Sequence, residues 1–212
     1  MSIQTVADIV LAVYNNVTPK YNRLWRGREL AIARQFGSWE ISYSLLRPLL
    51  LAICLNNPGS THQFLTSPVR NKETGLIMPG VAQFRAVAWA FGPCIAAFQY
   101  LRPVISIDAC FLSGRYEGRL LIACGYDAEN QLLPIAFAIV RQENTENWGF
   151  FLQWLRNEVL GCSRFVCVIS DQHKGIKAAL TAEYGWSPEL FVHMYYMQHV
   201  ADNLVHNCGG DK

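Results

Sequence analysis

Two aspartates in this 212-residue chain stand where carboxylates are uncommon. Asp108 interrupts the apolar run Val104 to Phe111, and Asp171 directly follows the continuous apolar run Phe165 to Ser170. Strand alternation across the first run puts Ile105, Ile107, Ala109 and Phe111 on one side and Val104, Ser106, Asp108 and Cys110 on the other. A carboxylate inside an apolar strand needs a cation, a cluster of donors or an exposed strand end, because burying an unpaired charge is costly. Two readings follow for Asp108: a ligand for a hard divalent cation, which takes oxygen donors, or an acid bonded to a neighbouring loop.

The surrounding elements decide whether the two acids can meet. Arg119 to Tyr126 and Leu132 to Val140 read as further strands, so three strands in succession imply an antiparallel meander. Pro134 has no N–H for a ladder, which predicts an edge or a bulge there. Thr145 can cap a helix whose stripe is Trp148, Phe151, Leu152, Leu155 and Val159, ended by Gly161. The run Phe165 to Ser170 is a strand covered on both faces, and Asp171 at its carboxyl end lies where open α/β sheets place ligands. A helix with Ile176, Ala179, Leu180 and Tyr184, a strand over Leu190 to Tyr195 and a helix with Met197, Val200, Ala201, Leu204 and Val205 complete the order. The two aspartates are 63 residues apart (171 − 108), and parallel strands lying side by side would bring them within about one strand spacing, ~4.8 Å, plus side-chain reach.

Upstream, residues 3–14, 20–36 and 38–54 read as helices, with a bend or interruption at Pro48 and a stop at Asn56-Asn57-Pro58-Gly59. Arg23, Arg26, Arg28 and Arg34 lie on the polar side of the second helix, a pattern that fits either a solvated face or phosphate contact. Thr61 to Ser67 and Gln83 to Ala90 are strand-like around a loop at Lys72 to Pro79, and Gly92-Pro93 opens a short helix. The expected division is a helical region over residues 1–60 and an α/β domain over 61–212. Composition adds limits: 51% apolar residues suit a packed core, and a net charge of +2 does not by itself point to nucleic acid. Seven cysteines without CxxC spacing fit thiols of a reducing compartment rather than a disulfide framework. The run Leu45 to Leu55 is short for a bilayer and holds Arg47 and Pro48, so no membrane association is expected.

Topology and acid placement together resemble the ribonuclease H-like fold of DDE transposases and integrases. The segments YNRLWRGRELAIARQFGSWEISYSLL (21–46), NNPGS (56–60), RPVISIDACFLSGRYEGRLLIACGYDAENQLLPIAFAIV (102–140), ENWGFFLQWL (146–155) and VISDQHKGI (168–176) resemble, in that order, the plant Mutator-like element transposase family. The resemblance implies a ribonuclease H-like mixed sheet after a helical amino-terminal region, and DNA transposition by phosphodiester cleavage and strand transfer. It implies Asp108 and Asp171 as the first two acids of a triad holding Mg2+ or Mn2+. Paired divalent ions about 3.5–4 Å apart activate the attacking oxygen and stabilise the leaving one. Transposon terminal repeats are the implied partner and the nucleus the implied location, with a homo-oligomer also allowed. His173, Lys174, Arg23, Arg26 and Arg28 are the candidate DNA contacts. The family's third acid, a glutamate on a later helix, has no match among Glu189, Asp202 and Asp211, which predicts a truncated, deficient copy. Its H-x-x-C-x-x-H motif reads His193, Tyr196, His199, with tyrosine a poor zinc ligand. The alternative is a domesticated DNA-binding regulator in which the aspartates are dispensable. Glu143 and Asp127 read as solvated turn residues, and most tryptophans as core.

Overall fold

The computed structural model describes residues 2–14, 20–113, 116–182 and 186–197. Helices α1 (Ile3–Val13), α2 (Tyr21–Phe36) and α3 (Trp39–Asn56) come first, followed by strands β1 (Thr61–Arg70) and β2 (Ile77–Ala90) and helix α4 (Gly92–Phe98). The meander β3 (Val104–Leu112), β4 (Gly118–Tyr126), β5 (Leu132–Val140) leads to α5 (Thr145–Leu155), which continues as a π-helical turn over Arg156–Leu160. Strand β6 (Val166–Ser170), helix α6 (Lys174–Thr181) and strand β7 (Phe191–Tyr195) end the described order. The last helix expected from the sequence, and Tyr184, lie outside the described residues. Two compact units divide the chain, Met1–Leu49 and Leu50–Lys212, and the division falls within α3.

All seven strands form one mixed sheet in the order β1-β2-β5-β4-β3-β6-β7. The meander is antiparallel, whereas β6 runs parallel to β3, and β7 parallel to β6. One face of the sheet, carrying Ile105, Ile107, Leu121, Ala123 and Val168, shares a core with Trp148, Phe151, Leu152, Leu155 and Val159 of α5 and its extension, and with Ile176, Ala179 and Leu180 of α6. These are the residues that helical spacing selects, and each large apolar side chain so buried contributes about 1.5–3 kcal/mol. Trp148, Trp154 and Trp186 are all core residues, as expected of most tryptophans. Arg156 falls four residues after Leu152 and therefore on the same stripe; it is fully buried, with Nη2 donating to the Cys162 carbonyl at 3.4 Å and the guanidinium 5.3 Å from the Trp186 ring. Burial lowers its pKa.

Pro134 is accommodated as its chemistry requires, although β5 is an inner strand. The β4–β5 register shifts between Ala123 and Cys124, passing from Ala136 to Pro134, and β2 pairs with β5 only from Phe137 to Val140. Proline therefore lies beside a bulge, with no β2 partner to demand its missing N–H. The expected loop at Lys72 to Pro79 is shorter in the structure: Ile77 already belongs to β2, which pairs with Arg70 and extends the hairpin beyond the sheet. Pro48 lies inside an uninterrupted α3 rather than at a break. The stretch Tyr21–Asn56 is helical except at Gly37 and Ser38, and is long and apolar enough by length and composition to cross a membrane, a property the shorter window Leu45 to Leu55 had concealed.

The parallel pair is held at its starting end. Arg164, just before β6, donates from Nη1 to the Phe98 carbonyl (2.6 Å) and from Nη2 to the Leu101 carbonyl (2.8 Å), with its guanidinium 4.5 Å from the Phe98 ring centroid. The Cys167 amide donates to the Pro103 carbonyl at 2.7 Å. Both strands thus leave one charge-assisted knot at the end of α4.

Gly92 opens α4 against the turn that closes α3. Its amide donates to Ser60 Oγ at 2.9 Å, and a Cβ there would stand 2.0 Å from the Pro58 carbonyl oxygen. Gly149, inside α5, has nothing within 4 Å of a Cβ. Gly92→Ala is expected to destabilise by about 3 kcal/mol through overpacking against backbone. Gly149→Ala should stabilise by about 0.5–1 kcal/mol through helix propensity. Urea unfolding of the two variants checks both, and equal effects would contradict the packing described.

Candidate functional site

The pairing of β3 with β6 fixes where the two aspartates stand. Val104 pairs with Cys167, Ile105 with Val168 and Ser106 with Ile169, each pair separated by 63 residues (167 − 104). Asp108 and Asp171 share that offset, so they occupy corresponding chain positions just beyond the last paired residues, Asp108 within β3 and Asp171 directly after β6. Asp108 is exposed and Asp171 half-buried. Each carboxylate is oriented locally: Asp108 Oδ1 accepts from the Ala109 amide (2.8 Å), and Asp171 Oδ1 accepts from the His173 amide (3.0 Å). Among the described residues no lysine or arginine forms an ion pair with either. Open carboxylate oxygens without a protein cation are a donor set that a hard divalent ion fits. No group of three His, Cys, Asp or Glu side chains converges among the described residues, so the pair stands without a third acid there.

Several neighbours of Asp108 escaped the sequence reading. Tyr196, just after β7, is hydrogen-bonded through its side chain to Ser106, and its amide donates to the Ser170 carbonyl at 2.9 Å. Burial pushes the Tyr196 hydroxyl up to about 12, against the Ser106 bond that lowers it and with Asp108 among the charges that raise it. Burial, and then the Asp108 charge, also raise the Cys124 thiol. The position that departs from the family's metal motif therefore packs a neutral phenol beside the first aspartate. No local pattern announces this contact, because it depends on β7 lying next to β6.

Beside Asp171, Ser170 Oγ donates to the Asp171 carbonyl (2.7 Å) and lies 2.8 Å from His193 Nε2. A hydroxyl has one proton, so Nε2 must carry the hydrogen and donate to Oγ. His193 is thereby held as a structural donor. Burial lowers its pKa first, Lys177 lowers it further, and Asp171 opposes them. His199, the last position of the family's metal motif, lies outside the described residues.

His173 caps α6. Its Nδ1 accepts from the Gly175 amide at 3.2 Å, and Glu143 Oε1 is 3.5 Å from the same nitrogen. The cap needs the nitrogen's lone pair and so corresponds to the neutral ring. The Gly175 amide at the start of α6 is occupied by this bond. Glu143 is not the solvated turn residue expected: its Oε1 also accepts from buried Trp148 Nε1 at 3.1 Å, because the β5–α5 loop folds back over the start of α6. Asp127 does serve its turn, with Oδ1 accepting from the Glu129 and Gln131 amides. Lys174 is exposed at the first position of α6. Arg23 and Arg26 are exposed on α2 in the other unit, and Arg28 there pairs with Glu29 at 3.1 Å.

A mixed sheet with two acids at corresponding positions on adjacent parallel strands defines an α/β protein whose polar chemistry is gathered on one edge. Residues 104–203 match the family model for the MULE transposase domain, and over this stretch the chain is similar to the Mutator-like element transposase family. No curated protein matches the chain.

The depressed pKa of His193 has a defined consequence. Below the unfolded value near 6.5, the unfolded chain takes up a proton that the folded chain resists, so stability is lost as pH falls from about 6.5 through the lower folded value. His193→Gln should weaken this loss while keeping an amide donor for Ser170. Thermal unfolding between pH 7.5 and 5 measures it, and an unchanged acid slope in the variant would refute the assignment.

Proposed function

We propose that this protein is a DNA transposase core of ribonuclease H-like fold, in which Asp108 and Asp171 bind Mg2+ or Mn2+ for phosphodiester cleavage and strand transfer in the nucleus. The observation that carries the reading is the shared 63-residue offset, which sets both acids at one register level of a parallel strand pair. The strand order supports the fold assignment: within β5-β4-β3-β6-β7, an antiparallel meander is followed by two strands parallel to its first. The family match supports the substrate class, DNA. Divalent metal supplies Lewis-acid activation of the attacking oxygen and charge stabilisation of the leaving one. The chain's own part is to hold two carboxylates in fixed orientation through the Ala109 and His173 amides and to keep protein cations away from them. Two acids without a third among the described residues support weak metal binding and slow strand transfer.

The lack of a third converging acid among the described residues also favours a second reading, a family-derived DNA-binding regulator without catalysis. A metal titration separates the two. With metal at about one hundred times its Kd, the folded state gains about 2.7 kcal/mol, a shift of several degrees in Tm. The first reading expects this shift with Mn2+ and its loss in Asp108→Ala and in Asp171→Ala. Identical behaviour of all three proteins would establish the regulator instead.

A further inference from the structure

The β3–β4 hairpin carries a feature that neither the core nor the carboxylate pair uses. Phe111, near the end of β3, is 79% exposed, and the Arg119 guanidinium lies over its ring at 3.6 Å from the centroid. The two are register partners across β3 and β4. Arg119 Nη1 donates to the Gly118 carbonyl at 3.1 Å, while buried Nε finds no acceptor among the described residues. A large aromatic 79% exposed to solvent, with a guanidinium stacked on one face, gains little from folding.

Its position gives it a use. Phe111 is three residues beyond Asp108, about 10 Å along the strand at ~3.4 Å per residue. Arg119 also pairs with Val140 of β5, and Val140 with Ala86 of β2, so exposed Arg141 follows at the same edge one strand further on. Arg85, next in the row, is engaged with Glu146 at 3.1 Å. The carboxylate edge thus continues sideways into an aromatic–arginine stack and then a second arginine. Cations attract a phosphate backbone without reading sequence. Aromatic rings and arginine planes stack on unpaired bases, the usual means of holding single-stranded nucleic acid.

We infer that Phe111 and Arg119 form a stacking platform for an unpaired DNA segment next to the Asp108–Asp171 pair, with Arg141 holding the adjoining phosphate. This deepens the proposed transposase reading and rests on it for the choice of DNA. It adds a substrate contact on the opposite side of the strand from Asp108, so the nucleic acid crosses the sheet edge.

The test uses the full chain and a fluorescently labelled DNA duplex, blunt or bearing a short single-stranded overhang, followed by anisotropy. The native protein should prefer the overhang, and Phe111→Ala should reduce that affinity by about tenfold while Phe111→Trp preserves it. Arg119→Ala should weaken binding and lower the salt slope by about one, whereas Phe111→Ala leaves the slope unchanged. Thermal unfolding confirms the fold of each variant, and the exposure of Phe111 makes its truncation the safe one. Retained preference in folded Phe111→Ala overturns the platform, as does a native protein indifferent to the overhang. Manganese titration of the same samples keeps the two ideas apart. A metal shift without overhang preference spares the carboxylate site and removes the platform. Overhang preference lost in Phe111→Ala, without any metal shift, does the reverse.

Discussion

The hydrogen-bonded contact between β3 and β6 is the constraint on which the site depends. Only three residue pairs are in register, yet they set two segments 63 residues apart at one level. Parallel strands cannot be joined by a tight turn, so the intervening β4, β5 and α5 form the crossover, with β4 and β5 extending the sheet and α5 packed in the core against it. The carboxylates lie just beyond this ladder, where β3 is paired with β4 alone and β6 has ended. Asp108 and Asp171 can therefore be exposed or half-exposed while the residues immediately before them are buried. An edge between order and solvent is what a charged, ligand-accessible pair requires.

Most of the fold was legible because its signals are local. The α5 stripe is buried at the residues that helical spacing picked, and Asn144, rather than Thr145, caps the helix by accepting from the Asn147 amide at 2.9 Å. Pro134 signalled a bulge correctly, but its absence from an edge could not be foreseen, because β2 joins the meander through a strand that lies before it in sequence. The early part of β2 was read as loop because Ile77 to Gly80 include a proline and a glycine, and of these four only Ile77 has a register partner, Arg70 of β1.

For the candidate site, sequence supplied the residues that bear charge but not the company they keep. Asp108 and Asp171 stood out against apolar runs. Tyr196 stood out only as a departure from a metal motif, since the placement of β7 next to β6 is what brings its phenol to Ser106. Glu143 was misjudged for the same reason, its role depending on a tryptophan five residues later and a histidine thirty residues later meeting in one loop cluster. Arg156 on the α5 stripe could have been noticed by counting four from Leu152. Nothing local says that an arginine would be tolerated there.

The clamp made by Arg164 acts at the opposite end of the parallel pair from the aspartates. A strand slides along its neighbour in whole-residue steps of about 3.3 Å, and a single step reverses every side chain's face. By gripping the carbonyls that precede β3 while itself preceding β6, Arg164 sets the zero mark from which both strands are measured out. Five residues separate Val104 from Asp108 inclusive, too few for slack to accumulate, so the spacing of the two acids is inherited from a guanidinium at the far end of the sheet. An arginine remote from any chemistry is thus the calibration point of the carboxylate pair.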